Sequence, residues 1–376
     1  MSLEASAAGT YPESVARLRE ALGPDRPGRA SLWPALSRLA WVAGLPNAAA
    51  PAFVYLAGAV GGVAVGGGGA DLREAATRLA GEASEALAQA EPAPAAQALH
   101  AEPDILAIWG AGPQMAALSL TRGRKVGAPM ASIFPALPAA PGAPPRSLGL
   151  AAGADFAAAR LAATLELIER DAAAAWWQGE TRPHALCASL LAPVAMELAR
   201  LRTGAAGTRP RPRPTGFLIL PSPTRLPVVA AFSRDAEGRG LAIGLKAALD
   251  LVSAARGAMI ELLQMEIGLE IARMRAAQGG APEADRGPLA RAEIDPEEMA
   301  AFAPTPPRAC PTPPVAGLAD LVAHLAALGL AVTVADLPGL RDGLAVAKAF
   351  VPGLRPLPGP LGPAQPGAPG AFAPLM

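Results

Sequence analysis

Residues 153–177 read GADFAAARLAATLELIERDAAAAWW, and this stretch decides the fold. From Asp155 to Trp177 it contains neither glycine nor proline, and Phe156, Leu161, Leu165, Ile168 and Trp176 recur near one face of a helix. Into that apolar pattern are set Glu166 and Glu169, with Arg170 and Asp171 following. Residues three apart on a helix share a face, so both glutamates aim the same way. A carboxylate on an inward helix face is costly unless it is paired or bound to a metal.

Working outward, the same device recurs twice. A helix from Asp71, a good N-cap residue, to about Ala90 carries Glu82 and Glu85 among Leu79, Ala83 and Leu87. A long helix from Asp250 to about Ala276 carries Glu261 and Gln264 beside Met259, Leu262 and Leu263. Any one pair reads as an ordinary solvated helix face. Three pairs that meet in space would suit magnesium, a hard cation held by a few carboxylates together with nucleotide phosphates.

Around these helices the chain alternates strand and helix signals. Pro12–Leu22 and Leu32–Val42 read as short helices, Phe53–Val65 as a strand running into a glycine loop at Gly66–Gly69, and Ile105–Trp109 as another short strand. Pro135–Pro145 and Arg209–Pro214 read as surface connectors that cannot join a sheet ladder. A helix is expected over Leu190–Leu201, then strands over Gly216–Leu220, Leu226–Ser233 and Leu241–Leu245, the last two joined by a turn at Asp235–Gly238. Gln278–Gly287 reads as a mobile loop, Leu318–Leu328 as a helix, and Ala331–Ala335 and Leu344–Val351 as closing strands. The fold class is therefore α/β of mixed, α+β character. Three segments follow: 1–50, helical; 51–355, the main domain; and 356–376, a Pro-rich tail.

The bulk numbers exclude several function classes. Lys plus Arg and Asp plus Glu both number 32 in a chain of 376 residues, so no net field draws it to nucleic acid or to an anionic membrane. Leu39–Ala70 carries no charge and exceeds the roughly 20 residues of a spanning helix, but Pro46, Asn47, Pro51 and the glycine run interrupt it. Cys187 and Cys310 have no metal-ligand spacing, and no secretory signal precedes the first helix, so a cytoplasmic location is expected. Cys187 reads as a buried small hydrophobe, His100, His184 and His324 as surface or packing residues, and Trp176 and Trp177 as core.

The run Gly149-Leu-Ala-Ala-Gly153, followed by Leu165-Glu-Leu-Ile-Glu-Arg-Asp171 and Trp176-Trp177, resembles the signature region of YcaO proteins. Gly67–Leu87 is similar to that family's earlier glycine-loop and helix segment, Ala258–Glu266 to its Glu-x-x-Gln helix, and Val351–Arg355 to a segment near its C-terminus. The resemblance implies mixed sheets flanked by helices, ATP and Mg2+ as cofactors, and activation of backbone amides in a ribosomally made precursor peptide, azoline-forming cyclodehydration above all. It implies ATP contacts from Glu82, Glu85, Glu166, Glu169, Arg170, Glu261 and Gln264, with metal on Glu82, Glu85, Glu166 and Glu169. It further implies a leader-peptide-binding partner protein and a homodimer or a heterodimer with another YcaO protein. Pro356–Pro360 spells the Pro-x-Pro-x-Pro pattern that ends many members.

The chain departs from the family pattern at several places. Gly68 stands for a Lys, Arg78 for a Ser, Ala86 for an Arg, Leu148 for an Asn, Ala158 for a Glu and Gly257 for an Arg, with Arg256 next to it as a partial substitute. Two readings follow: an enzyme with altered nucleotide contacts, or a catalytically degenerate copy serving as scaffold or dimer partner to an active modifying enzyme.

Overall fold

The computed structural model describes residues 11–24, 30–203, 212–280, 282–307 and 315–355. In chain order these form α1 (Tyr11–Leu22), α2 (Trp33–Leu36), β1 (Trp41–Gly44), β2 (Val54–Val60), β3 (Val63–Gly69), α3 (Leu72–Ala90), α4 (Pro103–Trp109), β4 (Gln114–Ser119), β5 (Arg124–Pro129), β6 (Leu150–Gly153) and α5 (Phe156–Trp177). There follow β7 (His184–Ala185), α6 (Ala188–Arg202), β8 (Thr215–Ile219), β9 (Val228–Ser233), β10 (Ala242–Ala247), α7 (Leu251–Ala277), α8 (Glu283–Ala292), α9 (Leu318–Ala327), β11 (Thr333–Leu337) and β12 (Ala345–Phe350).

The chain divides into two compact units built from interleaved segments. One comprises Met1–Leu45, Tyr55–Leu167 and Pro314–Leu354; the other comprises Pro46–Val54, Ile168–Pro313 and Arg355–Met376. The first holds a sheet of order β1-β2-β3 and a larger one of order β5-β4-β11-β12-β6. In the larger sheet Thr333 of β11 lies opposite Phe350 on one side and Ser119 on the other, and β6 closes the far edge with Leu150 opposite Lys348. Ile105, Trp109, Phe134, Val346 and Phe350 pack into its core, the Trp109 and Phe350 rings meeting edge to face at 5.1 Å. In the second unit a sheet of order β10-β9-β8-β7 carries α7 against β10 and β9, and α6 packs on α7. There Trp176 and Trp177 are buried as expected, stacked edge-on with Phe302.

Several local expectations are corrected. The stretch Phe53–Val65 is not one strand: Gly61 and Gly62, both at positive φ, turn it into the β2–β3 hairpin. The glycine run that follows is not a loop but the body of β3. Ile105–Trp109 is helical rather than extended, for Pro103 opens α4 and Gly110 at φ +87° ends it. Leu32–Val42 keeps a single helical turn, α2, before β1 forms opposite β2, with Trp41 across from Ala59. Gln278–Gly287 contains the start of α8, whose Asp285 accepts from Arg275 at 3.3 Å. Cys187 is exposed, at the N-cap of α6. The strands β4 and β5 had no sequence expectation. Cys310, residues 209–211 and the Pro356–Pro360 pattern lie outside the described residues, and no described helix is long and apolar enough to cross a membrane.

Candidate functional site

In the first unit, Asp71 caps α3 by accepting from the Glu74 N–H at 2.8 Å. Close approach of α3 to β3 follows from glycine. A Cβ on Gly67 would lie 2.3 Å from the Ala75 carbonyl oxygen and the Leu79 nitrogen, and one on Gly69 would press into Glu74 and Ala75. The helix therefore lies against bare backbone, and its glutamates reach strand edges. The Gly66 N–H donates to Glu82 Oε2 at 2.7 Å, and the Ala152 N–H donates to Glu85 Oε1 at 2.8 Å. Both β3 and β6 are edge strands, so each carboxylate covers an N–H that no neighbouring strand takes.

Tyr55 of β2 lies over the same place, for a Cβ on Gly66 would fall 2.2 Å from its hydroxyl oxygen. Burial and the nearby Glu82 charge push the phenol up to about 12. Glu82 is exposed on its outer side, but enclosure of its carboxyl raises its pKa, against the opposing pull of the Gly66 N–H and Arg78. On α5, Glu166 is partly buried and its charge favours the ammonium of Lys348. Lys348 is wholly buried on β12, donates to the Arg146 oxygen at 2.8 Å and to the Leu148 oxygen, and is brought down to about 7 by burial.

The second unit repeats the arrangement. Asp250 caps α7, accepting from the Ser253 N–H at 2.8 Å, and Gly244 of β10 lets the helix in: a Cβ there would sit 2.2 Å from the Leu262 nitrogen. Glu261 Oε2 then accepts from the Leu245 N–H at 3.2 Å. From α5, Glu169 Oε2 accepts from the Ala247 N–H at 3.1 Å. Two successive outward N–H groups of edge strand β10 thus end on two carboxylates. Glu169 is buried, with Arg170 at 3.5 Å and the Lys246 ammonium at 3.9 Å. Burial and then the Glu169 charge push Glu261 up to about 7, opposed by Arg170, Lys246 and the Leu245 N–H. Gln264 stands partly buried one turn beyond Glu261.

The sequence-predicted residues therefore divide. Glu82, Glu85 and Glu166 belong to the first unit, and Glu169, Arg170, Glu261 and Gln264 to the second, the division falling inside α5 between Leu167 and Ile168. Glu82 and Glu85, three residues apart, reach different strands. Among the described residues no three His, Cys, Asp or Glu side chains gather closely enough to hold a metal by themselves. In each unit taken by itself, a carboxyl with a raised pKa, Glu82 in the first and Glu261 in the second, would gain from the positive charge of a hard cation delivered with phosphates.

Sequence reasoning missed Tyr55, Lys246, Lys348 and Asp171. The last is buried and accepts from the backbone N–H and the Nε of Arg355 at 3.0 and 3.2 Å, which ties the Val351–Arg355 segment to α5. Its place next to Glu169-Arg170 was the available signal. Arg256 does not stand in at position 257, being held in a bidentate pair by Glu197 at 2.9 and 2.8 Å.

Comparison with known proteins adds the following. A family model described as YcaO cyclodehydratase, ATP- and Mg2+-binding, matches residues 83–355. Among solved structures the chain is similar to a heterocyclase in complex with substrate and cofactor, with TM-score 0.65 and 19% identity over 95% of this chain and 54% of that one. It thus spans about half the length of that heterocyclase. It is also similar to YcaO from Methanopyrus kandleri bound with AMPPCP and Mg2+ (TM-score 0.61, 20% identity, 84% of this chain, 86% of that one). A third similar structure is the E. coli microcin synthetase McbBCD complex with pro-MccB17 bound (0.59, 13%, 83% and 87%). These identities carry the fold, and the expected mixed α/β architecture is borne out. No curated protein sequence matches.

Proposed function

The chain belongs to the YcaO family, and from that premise we propose that it modifies a ribosomally made precursor peptide by ATP- and Mg2+-dependent activation of backbone amides, forming azolines by cyclodehydration. Bound nucleotide supplies a phosphoryl group that turns an amide oxygen into a leaving group, so that a Cys, Ser or Thr side chain can close on the amide carbon. This chain's part is positioning. Glu82, Glu85, Glu166, Glu169, Arg170, Glu261 and Gln264 would contact the nucleotide, with Glu82, Glu85, Glu166 and Glu169 also holding the metal.

The observation that carries the reading is the pair Glu169 of α5, buried, and Glu261 of α7, partly buried, whose carboxylates accept from neighbouring N–H groups of β10 and act on each other, so that burial and the Glu169 charge push Glu261 up to about 7. Such crowding costs stability in the absence of a cation and is relieved by one. Magnesium ordinarily keeps several waters and one or two carboxylates beside phosphates, which suits a donor set that is not closed by itself. A separate protein that grips the leader peptide, a dimer with itself or with another family member, and a cytoplasmic location belong to the same reading.

The test is mass spectrometry of the precursor peptide after incubation with the chain, its leader-binding partner and MgATP. The expected result is loss of one water per ring formed, abolished by Glu166→Ala and by Glu169→Ala. An unmodified peptide alongside product formed by a second YcaO protein, with this chain merely required, would assign it the scaffold role instead.

A further inference from the structure

The stem of Lys246 fills the space that a side chain at Gly257 would need. Gly244 and Lys246 alternate along β10 and point to the same side, towards α7, where a Cβ on Gly244 would meet Leu262 and Ala258. A Cβ on Gly257 would lie 2.5 Å from Lys246 Cγ and 3.1 Å from its Cβ and Cδ. The lysine stem therefore crosses α7 over the bare backbone of Gly257, and any side chain at 257 would displace it. Beyond that crossing its ammonium stands 3.9 Å from Glu169 Oε2 with 44% of the side chain exposed. A buried stem with an emergent charged head is the usual posture of a lysine offering its ammonium to solvent or ligand.

Arg256 is held by Glu197, and Arg170 lies buried against Glu169. Position 257 is where the family resemblance places an arginine and this chain has glycine.

We propose that Lys246 is a phosphate-contacting cation of this chain, its stem crossing the bare backbone of Gly257 and its ammonium emerging beside Glu169. The inference rests on the nucleotide-binding reading above and names the residue that adapts it to this chain. An ammonium beside Glu169 balances the local carboxylates when no ligand is bound and offers up to three N–H donors to phosphate oxygens when one is.

The test is calorimetric titration of MgATP into the full chain, with thermal stabilisation by MgATP as second readout. Lys246→Met keeps the stem packed on Gly257 and removes only the charge, so the fold is retained. Loss of one charged hydrogen bond predicts binding weaker by about tenfold to a hundredfold. The reciprocal exchange, Lys246→Gly with Gly257→Arg, should recover binding relative to Lys246→Met. The inference is overturned if Lys246→Met binds MgATP as tightly as the parent chain, or if the exchange binds no better than Lys246→Met. A parent chain that binds no MgATP at all would instead overturn the nucleotide reading, and the role of Lys246 with it.

Discussion

A carboxylate that accepts from an edge-strand N–H terminates a sheet as well as offering charge to a ligand, and the two roles separate by substitution. Glu169→Gln keeps an oxygen for the Ala247 N–H, whereas Glu169→Ala leaves that buried donor without one, at a cost of about 1–3 kcal/mol. Chemical denaturation should therefore find the Ala variant clearly less stable and the Gln variant close to the parent, while both lose MgATP binding. Lys348 gives a prediction of opposite chemistry. Its folded pKa is depressed to about 7 by burial, so between about 7 and its ordinary value of 10.5 the unfolded chain binds the extra proton. Stability contributed by this group must rise with pH through that window, and the penalty for burying the charge is fully present below it. Melting temperatures taken across that range should show a rise that Lys348→Met removes. The glutamates were legible in the sequence because helical spacing and apolar neighbours marked them. Lys246, Lys348 and Tyr55 were not, because a strand residue gives no sign of what crosses it from another element.

At the scale of elements, the recurring unit is a strand with glycine facing a helix. Gly67 lies beneath α3, Gly153 beneath the start of α5 and Gly244 beneath α7, each with a would-be Cβ within 2.3 Å of helix backbone. Backbone cannot yield as a flexible side chain does, so Gly67→Ala and Gly244→Ala should each cost about 1–3 kcal/mol or more in urea titrations, with weaker MgATP binding as the helix glutamates are pushed off the strand. Gly268, exposed within α7 with nothing near its Cβ position, behaves oppositely: Gly268→Ala should stabilise by about 1 kcal/mol through helix propensity alone. This packing is also why Gly66–Gly69 misled the sequence reading. Glycine runs ordinarily mark loops, and only the approach of α3 makes a glycine strand necessary. The helix α4 was readable after all, through Pro103 at its first position and Gly110 just past its end.

For the molecule as a whole, the long helices were predicted almost to the residue, since Asp71 and Asp250 cap α3 and α7 as their side chains require. The family was legible from the motif on α5 together with the segments Gly67–Leu87, Ala258–Glu266 and Val351–Arg355, and not from composition, whose alanine, proline and glycine excess says little about packing. The interleaving of two units was not legible, because nothing in a local window shows that Pro46–Val54 belongs with Ile168–Pro313. Glu166 and Glu169 both lie on α5 and carry the motif, so they bear most directly on the claim that the chain binds nucleotide with metal. The decisive measurement is calorimetry of ATP binding to the full chain with and without Mg2+, in the parent and in Glu166→Ala and Glu169→Ala. Binding that requires Mg2+ and falls sharply in both variants is the predicted result; binding that ignores Mg2+, or that both variants retain undiminished, would contradict it.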